Sequence, residues 1–310
     1  MEKKTPTVDI PKKPRFGIPH IHLSVSDGLR QFLIIFFSVF FSMTVAVVAI
    51  YLLSESAGGD EDPYAESYSE RGFFGEECNV TSIALRDCLV TYTTGEEGEA
   101  ESQGCYALTS SESVATMVEE ANKDSHIHAI LLDVDSYGGS PVAGEEMAEA
   151  VKASEKPVVA WVRSGAASAA YWAISPADVI VASKNSDIGS IGVTASYLDN
   201  AQSNEDSGYT YNQLSTGVFK DLGNPDKPLT DDERTLIKKQ LNIIFDNFIG
   251  EVALNRNVPE ATVREIADGS TMLGEEALEF KLIDMIGGKK EAYATLQELT
   301  KHEPVVCGPY

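Results

Sequence analysis

From Asn79 onward the chain alternates short apolar runs with amphipathic stretches, the pattern of an α/β domain. Ser110 to Asn122 sets Val114, Met117 and Val118 on one side behind a serine cap and predicts a helix; the apolar run Ile127 to Val134 predicts a strand after it. Pro141 to Ser154 predicts a second helix, Pro157 to Val162 a strand, and Ala166 to Ile174 a third helix. Val179 to Ala182 and Ser190 to Val193 are short strand candidates. Thr230-Asp-Asp-Glu233 has the form of a capping box and opens a long helix carrying Leu236, Leu241, Ile244, Phe248 and Val252. Pro259 starts another helix, and Gly274 to Lys281 a further one.

One apolar run does not belong to this alternation. Phe32 to Leu53 contains no charged residue, and as a helix its length would cover roughly 33 Å of bilayer at about 1.5 Å per residue. A cleaved secretory signal has a shorter apolar core and a small-residue cleavage site close behind it, so a retained signal anchor is the reading preferred. Lys3, Lys4, Lys12, Lys13, Arg15 and Arg30 precede the run, whereas 54–77 holds eight acids and only Arg71. The positive-inside rule then puts the amino terminus in the cytoplasm and the rest outside the cell membrane. The expected organisation is a cytoplasmic tail (1–30), a single transmembrane signal anchor (31–53), an acidic linker (54–77), an extracytoplasmic domain (78–300) and a short tail (301–310).

Charge and cysteines narrow the function. The formal charge is −24, and because residues 1–53 sum to +3, the remainder carries −27. A face of that sign does not bind phosphate backbones, so nucleic acid is not an expected partner. Cys78, Cys88, Cys105 and Cys307 all fall in the external portion, where disulfides persist. Three pairings are possible, with one bridge expected among the first three cysteines. With no C-x-x-C spacing, and only His126, His128 and His302 beyond the span, a zinc site lacks its usual ligands; neither a metal nor a cofactor is expected.

The candidate chemistry lies in three places. Ser168 stands in the run of very small residues Gly165-Ala-Ala-Ser-Ala-Ala170, at the start of a predicted helix, which leaves room for a substrate backbone. A serine hydroxyl needs a base to attack an amide, and a neutral lysine amine can serve. Lys220, in Gly217-Val-Phe-Lys-Asp221, has Val218 and Phe219 to desolvate it, with Asp221 an awkward neighbour unless the backbone turns it away. Lys184 is a competitor, and no histidine occurs between His128 and His302. Gly138-Gly139 follows the strand Ile127 to Val134, where backbone N–H groups can face a developing oxyanion. Two neighbouring parallel strands would bring this turn and Ser168 to one edge, where open α/β sheets place their sites.

These blocks resemble, in order and spacing, the signal peptide peptidase A family. The residues that carry the likeness are Ser136-Tyr-Gly-Gly-Ser140, Ala166-Ala-Ser-Ala-Ala-Tyr171, Pro176-Ala-Asp-Val-Ile-Val-Ala182, Gly189-Ser-Ile-Gly-Val193, Gly217-Val-Phe-Lys-Asp-Leu-Gly223, Leu229-Thr-Asp-Asp-Glu-Arg234 and the stretch from Ala267 to Asp284. The resemblance covers roughly 127–288. It implies a ClpP/crotonase-like fold of repeated ββα units behind a single N-terminal transmembrane helix, and a membrane-anchored serine endopeptidase acting on remnant signal peptides and other short apolar peptides. It further implies Ser168 as nucleophile, Lys220 as general base, the N–H groups of Gly139 and Ala169 as oxyanion hole, and a homo-oligomeric ring. The chain departs from the family in having Ala169-Ala170 after the serine, where two glycines are usual, and Tyr137 where proline is usual. The rival expectations are a catalytically inactive envelope scaffold and a crotonase-type acyl-CoA enzyme, the latter disfavoured by an external location.

Overall fold

The computed structural model describes Phe36 and residues 78–308, apart from 97 and 103. The expected membrane span therefore lies outside the described residues, Phe36 excepted; among those described, no helix is long and apolar enough to cross a membrane. Residues 78–308 belong to one compact unit.

Its framework is one mainly parallel sheet. Strand β1 (Val80–Val90) is followed by the short α1 (Glu99–Ser102), β2 (Leu108–Ser110), α2 (Ser111–Lys123) and β3 (Ala129–Gly139). Then come α3 (Pro141–Lys152), β4 (Val158–Ala167), α4 (Ala169–Ile174), β5 (Val179–Ala182) and β6 (Asp187–Gly189). The irregular stretch 190–230 contains only α5 (Ala201–Asp206). After it come α6 (Asp231–Arg256), α7 (Glu260–Ile266), β7 (Thr271–Leu273), α8 (Gly274–Glu279), β8 (Met285–Ile286), α9 (Lys289–Thr300) and β9 (Val306–Cys307). The sheet runs β2-β1-β3-β4-β5-β8, with β6 continuing beside β4 and pairing antiparallel with β7.

Helices cover both faces, the layering of an α/β fold. On one side Val114, Met147, Trp172 and Phe248 join Ile83, Leu85, Ile130 and Leu132 in a single core. On the other, Ala292 and Leu296 of α9 cover Val80, Leu131, Val159 and Val181. The capping signals behave as their chemistry requires. Ser110 accepts from Ser113 N at the start of α2, and Thr230 and Glu233 form a reciprocal capping box at the start of α6.

One expected strand moves. The strand expected at Ser190 to Val193 lies three residues earlier, at Asp187–Gly189, because Gly189 (φ 93°) and Ser190 (φ 48°) turn the chain out of extended geometry. The carboxy-terminal stretch adds a strand, since β9 pairs in parallel with β1 and Cys307 is bonded to Cys78. The expected bridge among the first three cysteines joins Cys88 to Cys105, so both pairs close and, among the described residues, no cysteine is free.

Candidate active site

Strands β3 and β4 run parallel and adjacent, in register from Ile130 opposite Val158 to Val134 opposite Val162, and the register then shifts so that Ser136 lies opposite Ala166. Their carboxyl ends carry Gly138-Gly139 and Ser168, so the two candidate groups arrive side by side. A Cβ built on Gly138 would lie 2.9 Å from Ser168 Cβ and 3.1 Å from Ala169 N. One built on Gly139 would collide with Leu89 of β1, 2.1 Å from its carbonyl oxygen. At Gly138, φ of 111° lies outside what side-chain-bearing residues adopt. Glycine is therefore required twice by close approach, and at Gly138 by backbone conformation as well.

Ser168 sits at the junction of β4 and α4 with φ 52° and ψ −128°, a strained conformation for a residue with a side chain. Its N–H donates to Gly189 O at 2.7 Å, tying the turn to β6. Ala169, the first residue of α4, has an N–H with no partner inside its own helix, as all first-turn amides do. Gly144 of α3 lies against Ala169, so that a Cβ there would come 2.8 Å from Ala169 O.

A cavity of about 530 Å³ opens over this turn. Gly139, Pro141, Ser168 and Ala169 line it together with Ser190, Gly192, Val193 and Thr194. Trp172, Leu241, Phe245 and Phe248 supply apolar surface, and Asp268 and Gly269 complete the rim. Trp172 and Phe248 stack with ring centroids 4.7 Å apart, fixing α4 against α6. Asp268 accepts from both Ser270 N and Ser270 Oγ, and these bonds hold its carboxyl below the usual carboxylate range. Sequence reasoning singled out neither Ser190 nor Asp268, whose place on the cavity comes from the β6–β7 pairing rather than from a local motif.

Three further serines near this turn in sequence, Ser164, Ser175 and Ser183, stand elsewhere. Ser175 is fully buried and bonded to Trp172 O and Asn255 Nδ2. Ser164 Oγ reaches Asp135, and Ser183 Oγ accepts from Asn185 N. Neither they nor Lys184 line the cavity. Lys220 is not brought to Ser168 within the chain either. It is exposed, in consecutive turns of the irregular stretch, and absent from the cavity lining. Around it Leu198, Tyr209, Leu214, Val218 and Phe219 are exposed as well. Among the described residues no cluster of His, Cys, Asp and Glu could hold a metal ion.

Residues 150–303 match the sequence model of Peptidase family S49, a span that includes Ser168 and Lys220 but not Gly139. A candidate protease of Methanocaldococcus jannaschii is 34% identical over 185 residues, covering 59% of this chain and 60% of that protein. A candidate signal peptide peptidase SppA of Enterococcus faecium is 30% identical over 190 residues, covering 60% of this chain and 55% of that one. Protease 4 of Haemophilus influenzae is 29% identical, covering 72% of this chain and 36% of its own length. The chain thus spans at most about 60% of these relatives. Among solved structures, a ClpP1 mutant from Listeria monocytogenes aligns with a TM-score of 0.43 at 11% identity, over 68% of this chain and 93% of that one.

Proposed function

We propose that this chain, which carries a peptidase S49 domain, is a membrane-anchored serine endopeptidase that hydrolyses remnant signal peptides and other short apolar peptides. One observation carries the reading: Ser168, held at φ 52°, lines a cavity together with Gly139 and Ala169. In this account Lys220 takes the proton from Ser168 Oγ and the oxygen attacks the peptide carbonyl. The resulting oxyanion is met by the N–H groups of Gly139 and Ala169. The amine leaves with a proton returned by Lys220, and water then hydrolyses the acyl-enzyme by the same route in reverse.

A lysine in open water carries its proton at neutral pH and is no base. The reading therefore requires the exposed stretch around Lys220 to be covered. Exposed Leu198, Leu214, Val218 and Phe219 on the same stretch favour a second copy of the chain as that cover, in a homo-oligomer that closes each site. The Cys78–Cys307 and Cys88–Cys105 disulfides favour an oxidising compartment, consistent with a single-pass anchor at 31–53 and a domain outside the cell membrane.

Exposure of Lys220 also favours a second reading, a scaffold of the same fold without catalysis. Hydrolysis of an apolar fluorogenic peptide by the full-length chain in detergent separates the two. The peptidase reading expects turnover that disappears in both Ser168→Ala and Lys220→Ala; the scaffold reading expects none in the wild type.

A further inference from the structure

Lys220 is followed directly by Asp221, whose carboxylate would hold the amine in its charged form if the two paired. The local backbone and two side chains compete with this. Lys220 N, Leu222 N and Asn224 N donate to Gly217 O, Phe219 O and Asp221 O, so 217–224 is a series of i to i+3 turns. Adjacent residues in such turns point about 120° apart. The diverted carboxylate is then occupied on both oxygens. Tyr211 Oη donates to Asp221 Oδ2 at 2.8 Å, and Asn224 Nδ2 donates to Asp221 Oδ1 at 3.1 Å. Asn224 Nδ2 also lies 2.8 Å from Tyr211 Oη, closing the three groups into a ring.

We propose that Tyr211 and Asn224 are positioning residues that keep the Asp221 carboxylate off Lys220, so that the amine stays free to act as the base. The inference rests on Lys220 having that role. Of the other charged groups of the stretch, Asp226 accepts from Asn204, Asp206 accepts from Gln202, and Lys227 pairs with Glu233, while Asp199 and Glu205 are exposed. Among the described residues no carboxylate forms an ion pair with Lys220. Asp221 in turn raises the Tyr211 phenol above its ordinary range, which keeps the donated proton in place.

The test is the pH dependence of kcat/KM for peptide hydrolysis by the full-length protein, with folding checked by circular dichroism. Tyr211→Phe combined with Asn224→Ala releases the carboxylate, and an opposite charge within about 4–6 Å raises an amine by roughly one to three pH units. The acidic limb of the profile should move up by that amount. Adding Asp221→Asn to the pair should return the limb to its wild-type position, which a purely structural role for Tyr211 would not do. A limb that stays in place while activity drops at every pH overturns the clamp alone. A wild-type limb that does not depend on Lys220 removes the base assignment, and the clamp with it.

Discussion

Gly138 lies so close to Ser168 that a Cβ added to it would come within 2.9 Å of the serine's own Cβ, and its φ of 111° already excludes an unstrained side chain. The candidate nucleophile and the glycine turn beside it are thus in close contact. Gly138→Ala must push the Ser168 turn aside. Misplacement by about 1 Å costs on the order of a hundredfold in rate. Peptide hydrolysis should fall by roughly that factor while the circular dichroism spectrum stays that of the wild type.

Phe248 is buried, stacks on Trp172 and lines the cavity with it. Truncating a buried phenylalanine costs about 3–5 kcal/mol, and here the space released adjoins the cavity beside Ser168. Phe248→Ala should lower the unfolding midpoint in urea. It should also shift preference among apolar peptides toward larger side chains, read as the ratio of kcat/KM for phenylalanine- and alanine-containing substrates.

The Lys227 ammonium, with the Thr230 backbone N–H, holds the Glu233 carboxyl down to about 2, against an ordinary 4.5. A carboxyl depressed in the folded state contributes stability that is complete above its unfolded value and is lost as pH falls toward its folded one. Wild type should therefore melt above Glu233→Gln at neutral pH, and the difference should shrink between about pH 4.5 and 2. A melting difference that is constant across this window would remove the ion pair from the account.

The Cys78–Cys307 bridge joins residues 229 apart and fastens β9 to the sheet edge. Removing a native disulfide costs roughly 2–5 kcal/mol. The double variant Cys78→Ala, Cys307→Ala should unfold at correspondingly lower denaturant, and reducing agent should destabilise the wild type but leave a variant lacking all four cysteines unchanged.

Local chemistry explains which elements could be read in advance. Ser110, Thr230 and Glu233 are caps whose partners lie three residues away, and the apolar strands β3, β4 and β5 are bounded by proline or glycine. Contiguity of Gly138 and Ser168 also followed, since it needs only two adjacent parallel strands. What was hidden depends on distant partners. Strand β1 reads as mixed polar and apolar and was not singled out, yet it lies between β2 and β3. The Cys78–Cys307 bridge spans the whole domain and leaves no spacing signal. Asp268 reaches the cavity only through the pairing of β6 with β7. Lys220 lies on a stretch with no periodicity, and its surroundings within one chain are open.

The most direct measurement is the site of covalent attachment of a serine-acylating probe, mapped by mass spectrometry on the full-length protein. The account predicts a single adduct on the peptide containing Ser168, formed in the wild type and abolished in Lys220→Ala. No adduct on Ser168, or one that forms equally well without Lys220, would contradict it.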